Sequence, residues 1–151
     1  MFILLSLWWR IDINNRLTSW LFNKVEKNVD DITRVDEYAM DDAETAIVCF
    51  GGTARAVMSA VLEARAAGKK VGMFRPVTVW PFPEKQLRAR LPQLKNILMV
   101  EHNHGQMLLE VQRVAGREKP VCFLGRIDGT VISPQDIFAK LSEMEENHHG
   151  E

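Results

Sequence analysis

Apolar and polar positions change rhythm along the chain. Residues 1–9 read MFILLSLWW, an unbroken apolar run. Over 14–29, Leu17, Leu21, Val25 and Val29 recur every fourth residue and Trp20 widens the stripe. That period predicts an amphipathic helix. The pattern breaks over 30–38, where Val35 and Tyr38 are β-formers among charges, and a short edge strand over 33–38 is predicted. From residue 45 the rhythm is regular. Residues 46–50 (AIVCF) form a compact apolar strand, Gly51-Gly52 turns the chain, and Thr53 is placed to cap a helix over 54–67 with Val57, Ala60, Val61 and Ala64 on one face. Gly68 ends it. A second strand covers 71–74, stopped by Arg75-Pro76. WPFP at 80–83 is extended, because each proline disfavours helix in the residue before it. Pro83 opens a short helix through Arg90. A third strand covers 96–100, a polar turn 101–105, a helix 106–115 ended by Gly116, and a fourth strand 121–124. Ser133-Pro134-Gln135-Asp136 combines a cap, a first-turn proline and an acid, and starts a helix carrying Ile137, Phe138 and Leu141.

Strands alternating with helices at this spacing give parallel βαβ units, with right-handed crossovers placing helices on both faces. The fold class is α/β, a three-layer α/β/α sandwich. Ligands of such sheets sit outside the carboxyl ends of the strands, here residues 51–55, 75–83, 101–106 and 125–132. The organisation is an N-terminal apolar segment and helix over 1–29, one domain over 30–146, and a polar tail over 147–151. At 151 residues, about two-thirds of the unfolded surface becomes buried on folding. That core needs neither disulfide nor metal.

Composition sharpens this in a few places. With 46% hydrophobic and 26% charged residues the chain is neither disordered nor a membrane bundle. Its net charge of -1 gives no basic footprint for nucleic acid. Cys49 and Cys122 sit in apolar strand sequences and read as buried thiols of a reducing cytoplasm. The 1–9 run is too short to span a bilayer and lacks the basic start and small-residue cleavage site of a signal peptide. It reads as a packing segment, or as the cut surface of a longer gene product. Charge is segregated: residues 30–44 hold seven acids and one Arg, and 51–95 hold nine Lys or Arg and two acids. Such blocks read first as solvated faces, and second as docking surfaces.

Two strand ends attract chemical attention. FGGTARA (50–56) is a strand–glycine–helix junction whose free N–H groups, with Arg55, suit an anion. It meets neither nucleotide fingerprint, and its glycines equally serve tight helix–sheet packing. EHNHGQ (101–106) offers His102 and His104 as metal ligands and Glu101 as a general base. An H-x-H pair supplies two ligands where zinc needs three, and His148 and His149 lie in a fraying tail. A hydrogen-bonded turn shaped by Asn103 and Gly105 is the plainer reading. No nucleophile elbow, P-loop or carboxylate pair stands out.

Several blocks together resemble one family. They are an EEY-like segment at Asp36, Glu37 and Tyr38, the acidic DDAE, G-x-T-A-R, K-V-G-x-x-R-P-x-T-x-W-P-F-P, V-E-x-N-x-G-Q, GRIDG and the SPQDI helix start. Over about residues 30–141 the chain resembles the C-terminal domain of the alpha subunit of 2-oxoacid:ferredoxin oxidoreductases, which has a transketolase C-terminal-like fold. The 15–31 helix resembles the one preceding that domain. The resemblance implies a mixed, mostly parallel five-stranded sheet with one antiparallel strand, supporting the 33–38 strand. It implies membership of a cytoplasmic complex that oxidatively decarboxylates a 2-oxoacid with coenzyme A, using thiamine diphosphate with magnesium, and passes electrons through iron–sulfur clusters to ferredoxin.

The pyrimidine-binding domain that precedes this one in the family has no counterpart here, nor do the cluster cysteines. The expectations are therefore a structural, assembly role, no catalytic residue, and no cofactor or metal held by this chain, which alone is inactive. It fits a subunit, a split or truncated product, or a remnant. The family-motif positions, candidates for an anion or interface site, are Gly51, Gly52, Thr53, Arg55, Arg75, Glu101, Asn103, Gly105 and Gln106. Interface candidates are Trp8, Trp9, Trp80 and Phe82. Partners are the other domains or subunits, with no nucleic acid and no membrane. The alternative is a stand-alone anion- or nucleotide-binding module on the turn from Gly51 to Arg55.

Overall fold

A computed structural model describes residues 2–117 and 119–148, and side-chain surroundings over 13–117 and 119–146. Helix α1 spans Phe2–Glu26. It begins earlier than the stripe over 14–29 predicts, since neither Gly nor Pro interrupts residues 2–26. It also ends earlier, where Asn28 Nδ2 donates to Lys24 O at 2.7 Å. A separate turn, α2 (Val29–Ile32), follows. Residues 13–24 of α1 are exposed. The side chains of Trp8, Trp9, His148 and His149 lie outside the described residues.

The sheet consists of β1 (Val35–Tyr38), β2 (Thr45–Cys49), β3 (Val71–Pro76), β4 (Asn96–Glu101) and β5 (Val121–Gly125). Its order is β1-β3-β2-β4-β5, with β1 antiparallel to β3 and the rest parallel. The edge strand therefore exists, two residues shorter than 33–38. β3 runs past the expected stop at Arg75-Pro76. Val77 N–H donates to Arg34 C=O, so Pro76 sits opposite Val35 in a non-hydrogen-bonded pair. The donor that proline lacks would face β2, whose pairing with β3 has ended at Val48↔Phe74.

Alternation along the strands divides the core between two helical layers. Val48, Phe74, Ile97 and Met99 pack on one face with Leu87 of α4 (Glu84–Arg90) and Met107, Val111 and Val114 of α5 (Gln106–Ala115). Ile47, Cys49, Leu98 and Val100 pack on the other with Val57 and Val61 of α3 (Ala54–Ala66) and Ile137 and Leu141 of α6 (Pro134–His148). Phe82, expected at a partner surface, is only 7% exposed and belongs to the α4–α5 side of this core. Flanking prolines made it read as loop, but its ring points inward. Trp80, two residues earlier, is 63% exposed.

The segregated charges meet each other. Asp42 pairs with Arg65 (2.7 Å), Asp36 with Arg75 (3.2 Å), Asp30 with Lys85 (2.7 Å), and Glu37 with Arg90. Glu44 accepts from both Lys70 and Lys95. The acidic and basic blocks are thus two sides of one intramolecular clasp fastening β1 and the 39–44 turn to the domain. Arg65 also reaches Ala39 O at 2.6 Å and Val71 O at 2.7 Å. Gly72 lets this turn lie against β3: a Cβ there would stand 2.7 Å from Ala39 O and 2.7 Å from Met40 Sδ.

Candidate functional site

The family-motif positions gather at the carboxyl end of the sheet, because β3, β2 and β4 are neighbours that run the same way. After β2, Gly51–Thr53 forms a short 3-10 turn entered with Gly51 at φ 58°. Thr53 does not cap α3. Its backbone is already helical, and its hydroxyl donates to Phe50 O at 2.7 Å. A Thr before a helix reads as a cap, but the glycine-led turn shifts its phase. Arg55 is exposed on the first turn of α3, and none of the ion pairs among the described residues involves it.

Arg75, one residue past the last β2–β3 pair, pairs across to Asp36, and its Nε is buried without a hydrogen bond. Burial pushes the Cys49 thiol up to about 12, against an opposing pull from Arg75. Such a thiol is neither a nucleophile nor a ready metal ligand at neutral pH.

After β4, the polar turn works on itself. Glu101 is fully buried. Its carboxylate accepts the N–H groups of Met107 (3.1 Å) and Leu108 (3.2 Å), at the start of α5. Asn103 Oδ1 accepts from Gly105 N, and Gln106 Oε1 from His104 N, both at 3.1 Å. Gly105 at φ 94° makes the reversal that aims α5 back along the sheet. Glu101 is thereby committed as a helix-terminus acceptor, with charge of the sign that the helix dipole favours there. The general-base reading gives way to a structural one.

From the sequence, the loop after β5 reads only as a strand end. Asp128 accepts from Thr130 N and Oγ1, and Arg126 pairs with Asp136 at 3.0 Å. Ser133 and Asp136 cap α6 reciprocally, as the sequence predicts. The D-G-T sequence is the signal for the Asp128 turn. His102, Arg126, Ile127 and Val131 line a shallow cleft of about 310 Å³ there. Among the described residues no three His, Cys, Asp or Glu side chains are grouped to hold a metal.

A wider groove, about 650 Å³, lies between α1 and Trp80, lined by Leu21, Phe22, Val25 and Ile32. Phe22 meets Trp80 edge-on, with ring centroids 6.2 Å apart.

Among the described residues, this end of the sheet arranges backbone and exposes apolar surface, but brings no acid, base and nucleophile together. Comparison with known proteins agrees with a partial unit. Residues 43–137 match the model of the pyruvate:ferredoxin oxidoreductase core domain II family. The chain belongs to that family. It is 36% identical over 131 residues to the 2-oxoglutarate synthase subunit KorA of Methanothermobacter thermautotrophicus, covering 87% of this chain and 35% of that protein. It is 36% identical over 111 residues to the ketoisovalerate oxidoreductase subunit VorB of Methanothermobacter marburgensis, covering 74% and 31%. This core domain II chain thus spans about a third of the length of these relatives.

Among solved structures it superimposes on the 2-oxoglutarate:ferredoxin oxidoreductase from Magnetococcus marinus, solved with 2-oxoglutarate, coenzyme A and succinyl-CoA bound. The TM-score is 0.73 at 23% identity, over 86% of this chain and 23% of that one. A split gene transketolase, described as an inactive beta4 tetramer, gives 0.55 at 16% identity, over 71% and 36%. At those identities both likenesses speak to the fold, a mixed α/β sheet shared with transketolase-like domains.

Proposed function

We propose that this chain serves as the core domain II portion of an alpha-type subunit in a 2-oxoacid:ferredoxin oxidoreductase, with a structural, assembly role. The observation supporting this most directly is the family match over 43–137. The assembled enzyme would convert a 2-oxoacid and coenzyme A to acyl-CoA, carbon dioxide and a proton, passing two electrons to ferredoxin. Thiamine diphosphate with magnesium, and the iron–sulfur clusters, would be held by its other domains and subunits. This chain's residues do not fit those groups: Glu101 is committed to α5, and burial keeps the Cys49 thiol protonated. The exposed face joining α1 and Trp80 would pack against the thiamine-binding domains. No helix among the described residues is long and apolar enough to cross a membrane, and we place the complex in the cytoplasm. A stand-alone anion module on the turn from Gly51 to Arg55 takes second place, with Arg55 its one exposed cation.

Immunodepletion tests this. Removing the chain from an anaerobic extract of its own cells should remove 2-oxoacid- and coenzyme A-dependent viologen reduction, and the purified chain alone should reduce none. Viologen reduction unchanged by complete depletion would sink the proposal.

A further inference from the structure

We propose that β1 is a charge-latched strap. It lifts off β3 as a unit while the rest of the sheet stays closed, with Ala39 as its strained hinge and the Arg65–Asp42 pair as its latch. This goes beyond the oxidoreductase reading and does not rest on it.

Apolar burial gives β1 little hold. It pairs with β3 alone, at the edge of the sheet. Val35 is half-buried, and Asp36, Glu37 and Tyr38 are exposed. β2 and β4, by contrast, are buried along almost their whole length. An element with so few buried contacts opens more readily than the core it lies on. What grips β1 instead is charge. Asp36 pairs with Arg75 and Glu37 with Arg90, which Asp41 also approaches at 3.6 Å. These pairs are open to solvent, so salt screens them.

The hinge follows directly in the chain. Ala39 has φ 52°, the one non-glycine residue among those described with a positive φ. A Cβ makes this left-handed conformation costly, so its surroundings must hold it. On one side, Met40 is buried in the core and its C=O accepts from Gln93 Nε2. On the other, Arg65 Nη2 donates to Ala39 C=O at 2.6 Å while Arg65 Nε donates to Val71 C=O at 2.7 Å. One guanidinium thereby pins the hinge to β3. Asp42 fixes that guanidinium through both carboxylate oxygens, at 2.7 and 3.0 Å. With the latch released, Ala39 relaxes out of the left-handed region and turns Tyr38 away from Met73. The far end stays tied, because Thr78 Oγ1 donates to Ile32 C=O and accepts from Arg34 N–H. Lifting frees Arg75 and Arg90 from their carboxylates and bares the outer backbone of β3.

The register identifies the amides that the strap protects. Val77 N–H donates to Arg34 C=O, and hydrogen-bonded pairs alternate along an antiparallel ladder. Asp36↔Arg75 and Tyr38↔Met73 are therefore hydrogen-bonded pairs. The amides of Gly72 and Phe74 turn the other way, to β2. β3 thus carries strap-protected and core-protected amides on alternate residues.

Residue-resolved amide exchange of the full chain tests this, read as the protection of Met73 and Arg75 relative to Gly72 and Phe74 in one sample. Asp36, Tyr38, Met73 and Arg75 should share one opening, with protection on the order of tenfold or more below that of Gly72 and Phe74. Raising salt from about 20 mM to about 1 M should speed these four amides several-fold further and leave Gly72 and Phe74 unmoved. Asp42→Asn should speed the four as well. Ala39→Gly relieves the hinge and should slow them by about threefold or more. In an unstrained strap the same glycine would loosen β1 and speed them. Should Asp42→Asn fail to fold, Ala39→Gly and the wild-type salt series decide. Exchange of the four amides together with Gly72 and Phe74 overturns the proposal. So does a protection ratio that ignores salt, or an Ala39→Gly variant in which the four exchange as fast as in the wild type or faster.

Discussion

Replacing Glu101 separates a structural carboxylate from a chemical one. The side chain is fully buried and accepts two backbone N–H groups at 3.1 and 3.2 Å. In Glu101→Ala, the buried Met107 N–H is left without an acceptor, costing about 1–3 kcal/mol. The Leu108 N–H is less enclosed and regains water, so its loss is nearer 1 kcal/mol. Relief from burying a carboxylate offsets part of this. The balance is a destabilisation of about 2–3 kcal/mol. For a domain of this size that lowers Tm by about 4–12 °C. In urea, the circular-dichroism midpoint should fall with an unchanged slope. Glu101→Gln keeps one acceptor oxygen, but presents an amide donor to the second N–H, and should lose about half as much. An unchanged midpoint in Glu101→Ala would refute the helix-terminus role and return Glu101 to the candidates for chemistry.

Other perturbations probe the clasp, the core and the thiols. Hydrogen bonds from Arg65 hold the Asp42 carboxyl below its usual range, and those from Lys95 and Lys70 do the same for Glu44. Their contribution is present above the ordinary carboxylate range and is lost as pH falls through the lowered folded values. The urea midpoint should therefore drop on acidification, with a shallower dependence in Asp42→Asn; equal slopes would count against the clasp. Gly72→Ala drives a Cβ against Ala39 O and Met40 Sδ, each 2.7 Å away, and should destabilise by about 1–3 kcal/mol in the same assay. A thiol reagent at neutral pH should modify half-buried Cys122 in the native chain, and Cys49, pushed up to about 12 by burial, only on unfolding. Equal rates would show that β2 opens.

The elements with strong periods were legible from sequence because their signals are local. β2, β4, α3 and α5 lie within a residue or so of expectation, as their apolar spacing and terminal glycines determine them. β1 is different. VDEY has no alternation worth reading, and only one of its four residues is even partly buried. What holds it is distant: Asp36 to Arg75 and Glu37 to Arg90, partners 39 and 53 residues away. No window of sequence contains both members of such a pair; the β-formers Val35 and Tyr38 only suggest the strand, and family resemblance rather than spacing supports it. The charge blocks are solvated as expected, with Lys85 75% and Asp30 69% exposed, but no such window shows that they face each other. Phe82 and Thr53 differ from expectation for a nearer reason. Their neighbours, prolines in one case and a helix start in the other, suggest a loop and a cap, while the backbone turn decides where each side chain goes.

The candidate site repeats that lesson at the level of chemistry. Glu101, Asn103, Gly105 and Gln106 are the residue types of an active-site turn, and their order alone does not distinguish catalysis from capping. Geometry does. The Glu101 carboxylate and the amide oxygens of Asn103 and Gln106 each accept backbone N–H groups within this same turn. A turn so satisfied is rigid, and rigidity is what a domain needs if it positions reacting groups held elsewhere. Among the described residues, the exposed surfaces include the aromatic face joining α1 and Trp80. On the assembly role proposed above, this chain's contribution to a reaction would come through what it packs against.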